Sequence, residues 1–66
     1  MQIIINGESR PLQADMTVQS LLQTLKLGTG RIAVELNGEI LPRSEFSLRQ
    51  LGDGDKIEIV QAIGGG

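Results

Sequence analysis

The chain has 66 residues and a net charge of −2, and it contains no Cys, His, Trp or Tyr. A chain this short supports one domain and buries only about 60% of the surface its unfolded form exposes, which leaves little room for a catalytic cavity beside the core. Without Cys or His there is no disulfide framework, no thiol nucleophile, and neither the usual general base nor the commonest zinc ligands.

The charge balance argues against nucleic acid as a partner. Eight Asp and Glu outweigh six Lys and Arg, and a single aromatic, Phe46, cannot build a base-stacking platform. No apolar run approaches the roughly 20 residues that span a bilayer. No basic segment leads into an apolar one, so no signal peptide is expected. The expected setting is cytoplasmic and away from membranes, with an acidic face that favours a basic partner surface.

Met1 to Asn6 reads as a strand built on Ile3, Ile4 and Ile5, closed by Asn6-Gly7, the favoured type I′ hairpin pair. Period-2 alternation puts Met1, Ile3 and Ile5 on one face and Ile4 on the other. The returning strand, Glu8 to Gln13, contains Pro11, which places it at a sheet edge. The period then changes. Val18, Leu21, Leu22 and Leu25 recur at i, i+3, i+4 and i+7 and predict a helix over residues 17–27. Thr17 is its expected N-cap, with Met16 stapling onto Leu21. Lys26 complements the dipole in the last turn, and Gly28 or Gly30 is expected to supply the left-handed C-terminal position.

Strand character returns at Arg31 to Asn37, where Ile32, Val34 and Leu36 alternate with Ala33, Glu35 and Asn37. A second Asn-Gly pair, Asn37-Gly38, turns the chain into Glu39 to Leu41, and Pro42 stops that strand. Residues 43–51 lack a period; Phe46, Leu48 and Leu51 are expected to plug the open end of the core. A Gly52-Asp53-Gly54-Asp55 turn, in which both aspartates have a structural use, leads to a last strand, Lys56 to Ile63, burying Ile57 and Ile59.

The order β-β-α-β-β-β with one amphipathic helix predicts a two-layer α+β sandwich. The first and last strands are the most apolar, so they are expected side by side, parallel and central: a β-grasp arrangement. Its open sheet face would carry Gln2, Ile4, Asn6, Ala33, Glu35, Glu58, Val60 and Ala62. Ile4, Val60 and Ala62 would form an apolar docking patch rimmed by Glu35 and Glu58.

The sequence ends Ala62-Ile63-Gly64-Gly65-Gly66. Three glycines after a strand are poor structure makers, so residues 1–63 are expected to form the domain and residues 64–66 a tail reaching about 10 Å. A glycine carboxylate is the least hindered acyl group a chain can present, and it is ionised at neutral pH, its pKa being about 3.5. It could attack the α-phosphate of ATP if a partner positioned Mg²⁺ and stabilised the developing charge. The chain would then be a substrate or carrier and not an enzyme.

The element order, the hairpin Glu35-Leu36-Asn37-Gly38-Glu39-Ile40 leading into Pro42-Arg43, the Asp53-Gly54-Asp55 turn and the Gly64-Gly65-Gly66 end together resemble the ThiS family of sulfur carriers in thiamin biosynthesis, a ubiquitin-like β-grasp family. That family typically ends in two glycines, where this chain has three. The resemblance implies that a ThiF-type adenylyltransferase uses ATP and Mg²⁺ to adenylate Gly66, with Gly64 and Gly65 recognised by the partner. It further implies that sulfur from a cysteine-desulfurase relay makes a thiocarboxylate, which thiazole synthase (ThiG) consumes. No bound cofactor or metal is implied. Two other readings share the fold: a carrier like the small subunit of molybdopterin synthase, and a ubiquitin-like protein modifier.

Overall fold

The structure, a computed structural model, describes residues 1–27 and 31–61. Strands β1 (Gln2–Ile5) and β2 (Glu8–Pro11) precede helix α1 (Val18–Thr24). Strands β3 (Ile32–Leu36) and β4 (Glu39–Leu41) follow, then a 3-10 turn over Arg43–Glu45 and strand β5 (Lys56–Gln61). The five strands form one sheet in the order β2-β1-β5-β3-β4. β5 runs parallel to β1, as expected of the two most apolar strands, and antiparallel to β3. Every residue of β2 is exposed, and the strand lies at an edge, where Pro11 leaves no inner ladder short of a donor.

One helix covers one face of this mixed sheet. Val18, Leu21 and Leu22 of α1 share a core with Ile3, Ile5, Val34, Leu36 and Ile57. Thr17 caps the helix, its Oγ1 accepting the Ser20 N–H at 3.1 Å. The next free donors of the first turn are met by the loop after the 3-10 turn: Val18 N–H donates to the Arg49 carbonyl and Gln19 N–H to that of Phe46, both at 3.0 Å. Residues 46–51 therefore serve the helix through their backbone as well as the core through Phe46 and Leu51, which are both buried.

Four expectations need correction. The helix ends at Thr24, short of residue 27, because Lys26 takes the left-handed conformation at φ 63°. The Leu27 N–H donates to the Leu22 carbonyl and the Lys26 N–H to that of Gln23, closing a Schellman motif. Lys26 thus holds the position expected of Gly28 or Gly30, which lie outside the described residues. The reversal lets both Leu25 and Leu27 pack on the core, which residues two apart on a helix could not do. Leu48 is 76% exposed and plugs nothing, and Met1, at the sheet's end, is 64% exposed despite its place in the β1 alternation.

The fourth correction concerns register. Ile4 lies opposite Lys56, and Ile5 opposite Ile57, so β1 pairs with the beginning of β5. Val60 lies four residues further along, about 13 Å away at strand rise, and pairs with Ala33. Ile4 and Val60 are therefore not neighbours. β1 has already turned into its hairpin at Asn6 where β5 continues toward its end.

Candidate functional site: the last strand and the open sheet face

β5 is the strand that leads to the glycine run, and it is held from both sides. Along β1, Ile4 N–H donates to the Asp55 carbonyl and Asn6 N–H to that of Ile57, each at 2.9 Å. Along β3, five residue pairs run from Ile32↔Gln61 to Leu36↔Ile57. Ile57 has no exposed surface.

The two hairpin asparagines complete this grip. Asn6 (φ 49°) with Gly7 (φ 86°), and Asn37 (φ 53°) with Gly38 (φ 86°), both have the left-handed pair of a type I′ turn. Each also sends its side chain onto β5. The Asn6 amide donates to the Ile59 carbonyl at 3.3 Å and accepts the Ile59 N–H at 2.8 Å, standing in for a ladder residue after β1 has ended. Asn37 Oδ1 accepts the Lys56 N–H at 3.0 Å, and its Nδ2 donates to Asp55 Oδ1 at 3.1 Å. The sequence marks both residues as turn formers; their second use has no signal in composition or period.

The aspartates of the Gly52–Asp55 turn have the structural use expected of them. Asp53 Oδ1 accepts the Gln2 N–H at 2.7 Å, and Asp55 Oδ2 accepts the Gly52 N–H at 2.7 Å. The start of β5 is thereby tied to β1, to β3 and to its own turn. Among the described residues no three acidic side chains gather as a metal-holding group.

On the open face the strand pairings set Glu58 opposite Glu35 and Glu35 opposite Ile40, with Val60 opposite Ala33 in the next row. Val60 and Ile40 are 63% and 69% exposed. The apolar surface flanking the two glutamates is thus Val60, Ala33 and Ile40. Ile4 sits half-buried at the far end, beside Lys56 and Ser9. Alternation along single strands does not place Ile40 here; the register across the Asn37-Gly38 turn, which sets it opposite Glu35, does. Arg31, Ile32, Ala33, Arg43 and Val60 also line a shallow hollow of about 380 Å³ near the end of β5. Gly64, Gly65 and Gly66, with Ala62 of the expected patch and the expected domain boundary after residue 63, lie outside the described residues.

No described helix is long and apolar enough to cross a membrane. The ThiS family model matches residues 3–66. The sulfur carrier protein ThiS of Escherichia coli (strain K12) is 35% identical over 66 residues, covering the whole of both chains. A thiazole synthase of Paramagnetospirillum magneticum is 48% identical over 66 residues, which are all of this chain and 20% of that protein. The chain thus spans about a fifth of the length of that relative. The crystal structure of a thiamine biosynthesis protein (ThiS) from Geobacter metallireducens superposes with a TM-score of 0.82 at 35% identity, over 100% of each chain. With β5 between two hairpins, one helix on one face and the match running to the glycines, the chain belongs to the ThiS family, the sulfur carriers of thiamine biosynthesis.

Proposed function

We propose that this chain carries sulfur as a thiocarboxylate on Gly66 and delivers it to thiazole formation, acting as a substrate of other enzymes and not as a catalyst. The observation that carries the reading is the family match over residues 3–66, which takes in Gly64, Gly65 and Gly66. In the first step a carboxylate oxygen of Gly66 attacks the α-phosphorus of ATP in a ThiF-type partner, and pyrophosphate leaves. Mg²⁺ and the partner's own groups stabilise the charge that develops. The terminal sulfur of a persulfide on a cysteine-desulfurase relay then attacks the acyl carbon, AMP leaves, and an acyl disulfide forms. A thiol attacks the relay's sulfur in that bond, the S–S bond breaks, and the thiocarboxylate leaves as a new disulfide forms on the relay. The folded body binds no cofactor in this scheme, and the cytoplasm, which supplies ATP, is its setting.

Two of the thiazole synthases similar to this chain match it along its whole length while being about five times longer, which supports thiazole synthase as the sulfur acceptor. The docking surface for the activating partner is the open face at the end of β5: Val60 with Ala33 and Ile40. Exposed apolar side chains rimmed by charge are the ordinary anatomy of such a surface.

Intact-mass spectrometry after incubation with a ThiF-type enzyme, ATP, Mg²⁺ and a sulfur source tests the reading. Exchange of one oxygen for sulfur, absent from a variant lacking Gly65 and Gly66, is the expected result. A covalent adduct with a second protein would mark a modifier instead, and no change of mass would end the proposal. Val60→Asp is expected to lower the rate of adenylation by about tenfold or more, a hot-spot effect of about 1.4 kcal/mol or above, with native circular dichroism. Ile4→Asp is expected to have a smaller effect, because Ile4 lies away from that patch. Equal rates for Val60→Asp and the parent would remove the patch.

A further inference from the structure

We propose that Asn6 and Asn37 are latent deamidation sites, shielded in the folded chain by their hydrogen bonds to β5, and that the fold ranks them with Asn6 first. Each is followed by a glycine, which lacks the Cβ that would otherwise crowd attack by its backbone nitrogen on the preceding side chain. Gly7 and Gly38 are both exposed, and even an added Cβ would meet nothing within 4 Å, so neither turn is crowded. Neither glycine N–H has a backbone acceptor among the described residues.

The chemistry needs only water. The Gly7 nitrogen, having lost its proton, attacks Cγ of Asn6 and a C–N bond forms. The bond from Cγ to the amide nitrogen breaks, ammonia leaves with a proton, and a five-membered succinimide remains. Water opens the ring at either carbonyl, giving aspartate or isoaspartate. The same steps apply to Gly38 and Asn37. No electrons are transferred to or from the chain.

Attack requires the side chain to swing back toward its own following nitrogen, and in the fold both are held elsewhere. The Asn6 amide must leave the N–H and carbonyl of Ile59; that of Asn37 must leave the Lys56 N–H and the Asp55 carboxylate. The two clamps are unequal. Asn6 closes a ladder of two residue pairs and its donated bond is long, at 3.3 Å. Asn37 closes a ladder of five pairs and donates to a carboxylate, a stronger acceptor. Reaction at either site damages the clamp that delayed it. Aspartate at position 6 faces the Ile59 carbonyl with an acceptor, and aspartate at position 37 faces Asp55 with a second negative charge.

The test is peptide mass spectrometry on the full chain held in warm, mildly alkaline buffer, with and without urea, measuring aspartate plus isoaspartate at each position. In urea both sites are expected to react at similar rates. In the folded chain both are expected to slow by about tenfold or more, as local opening becomes limiting, with Asn6 ahead of Asn37. Rates unchanged by folding, or Asn37 ahead, would overturn the proposal. Asp55→Ala adds a test in which Asn6 is the internal control. Acceleration of Asn37 alone supports the local clamp, whereas equal acceleration at both sites would show that reaction runs through global unfolding and refute it.

Discussion

The two Asn-Gly hairpins flank β5 like two hands on one rail. Both use the same dipeptide and the same left-handed pair of residues, and both give β5 their inner strand while leaving an outer strand at the sheet edge. They differ in direction. β3 runs antiparallel to β5 and matches it over five pairs, whereas β1 runs parallel and matches it over two. Identical turns therefore carry unequal ladders, and the Asn6 side chain extends the shorter one to Ile59. Turn chemistry alone does not set how firmly a hairpin is held; the strand it meets does.

The comparison breaks first at the residue both hairpins share. Ile57 lies opposite Ile5 on one side and Leu36 on the other, with no exposed surface. Ile57→Ala is expected to cost about 2–5 kcal/mol by lost burial and the cavity left behind. Against a total stability of about 3–10 kcal/mol for a chain this size, that is a large share. Urea unfolding followed by circular dichroism reads it. A loss under about 1 kcal/mol would mean that the core closes without its central strand.

The next test separates the hands. Glycine at position 6 or 37 keeps the positive φ without strain and removes only the side-chain bonds. Asn6→Gly and Asn37→Gly are each expected to cost about 1–2 kcal/mol, since each removes two hydrogen bonds of modest net worth. Hydrogen exchange distinguishes them. The Ile59 amide is expected to lose protection in Asn6→Gly, and the Lys56 amide in Asn37→Gly. Loss of protection at both amides in either variant would show that β5 is released as a whole, and the two grips would then be one.

What the sequence reveals of this arrangement follows from where the information is local. Strands and helix are legible because Ile3 and Ile5, Ile32 to Leu36, and Val18 to Leu25 carry clean periods. Strand order is legible because the two most apolar strands belong in the middle. Register across the parallel pair is not, since no turn joins β1 to β5 to fix the offset, and the adjacency expected for Ile4 and Val60 fails for that reason. Lys26 at the helix end and Leu48 on the surface are set by what their neighbours must bury, Leu27 in one case and Phe46 with Leu51 in the other. Of the site, the glycine run and the exposure of Val60 are readable from the chain, whereas the clamps at Ile59 and Lys56 depend on bonds between residues distant in sequence.

The smallest effect is expected on the open face, where the β3 side of β5 has a feature the β1 side lacks. Glu58 and Glu35 stand directly opposite each other, whereas the paired position on the β1 side sets Ile4 against Lys56. Like charges across a ladder repel, so Glu58→Gln is expected to stabilise the chain by about 0.2–0.5 kcal/mol at low salt. Screening should remove most of this gain at high salt, because both side chains reach water. Thermal unfolding at two ionic strengths reads the difference. A gain that persists undiminished at high salt would point to a packing cause and leave the glutamate pair without an electrostatic cost. If the gain disappears with salt, the chain carries a small repulsion on the same face as Val60 and Ile40, and a basic side chain docking there would relieve it.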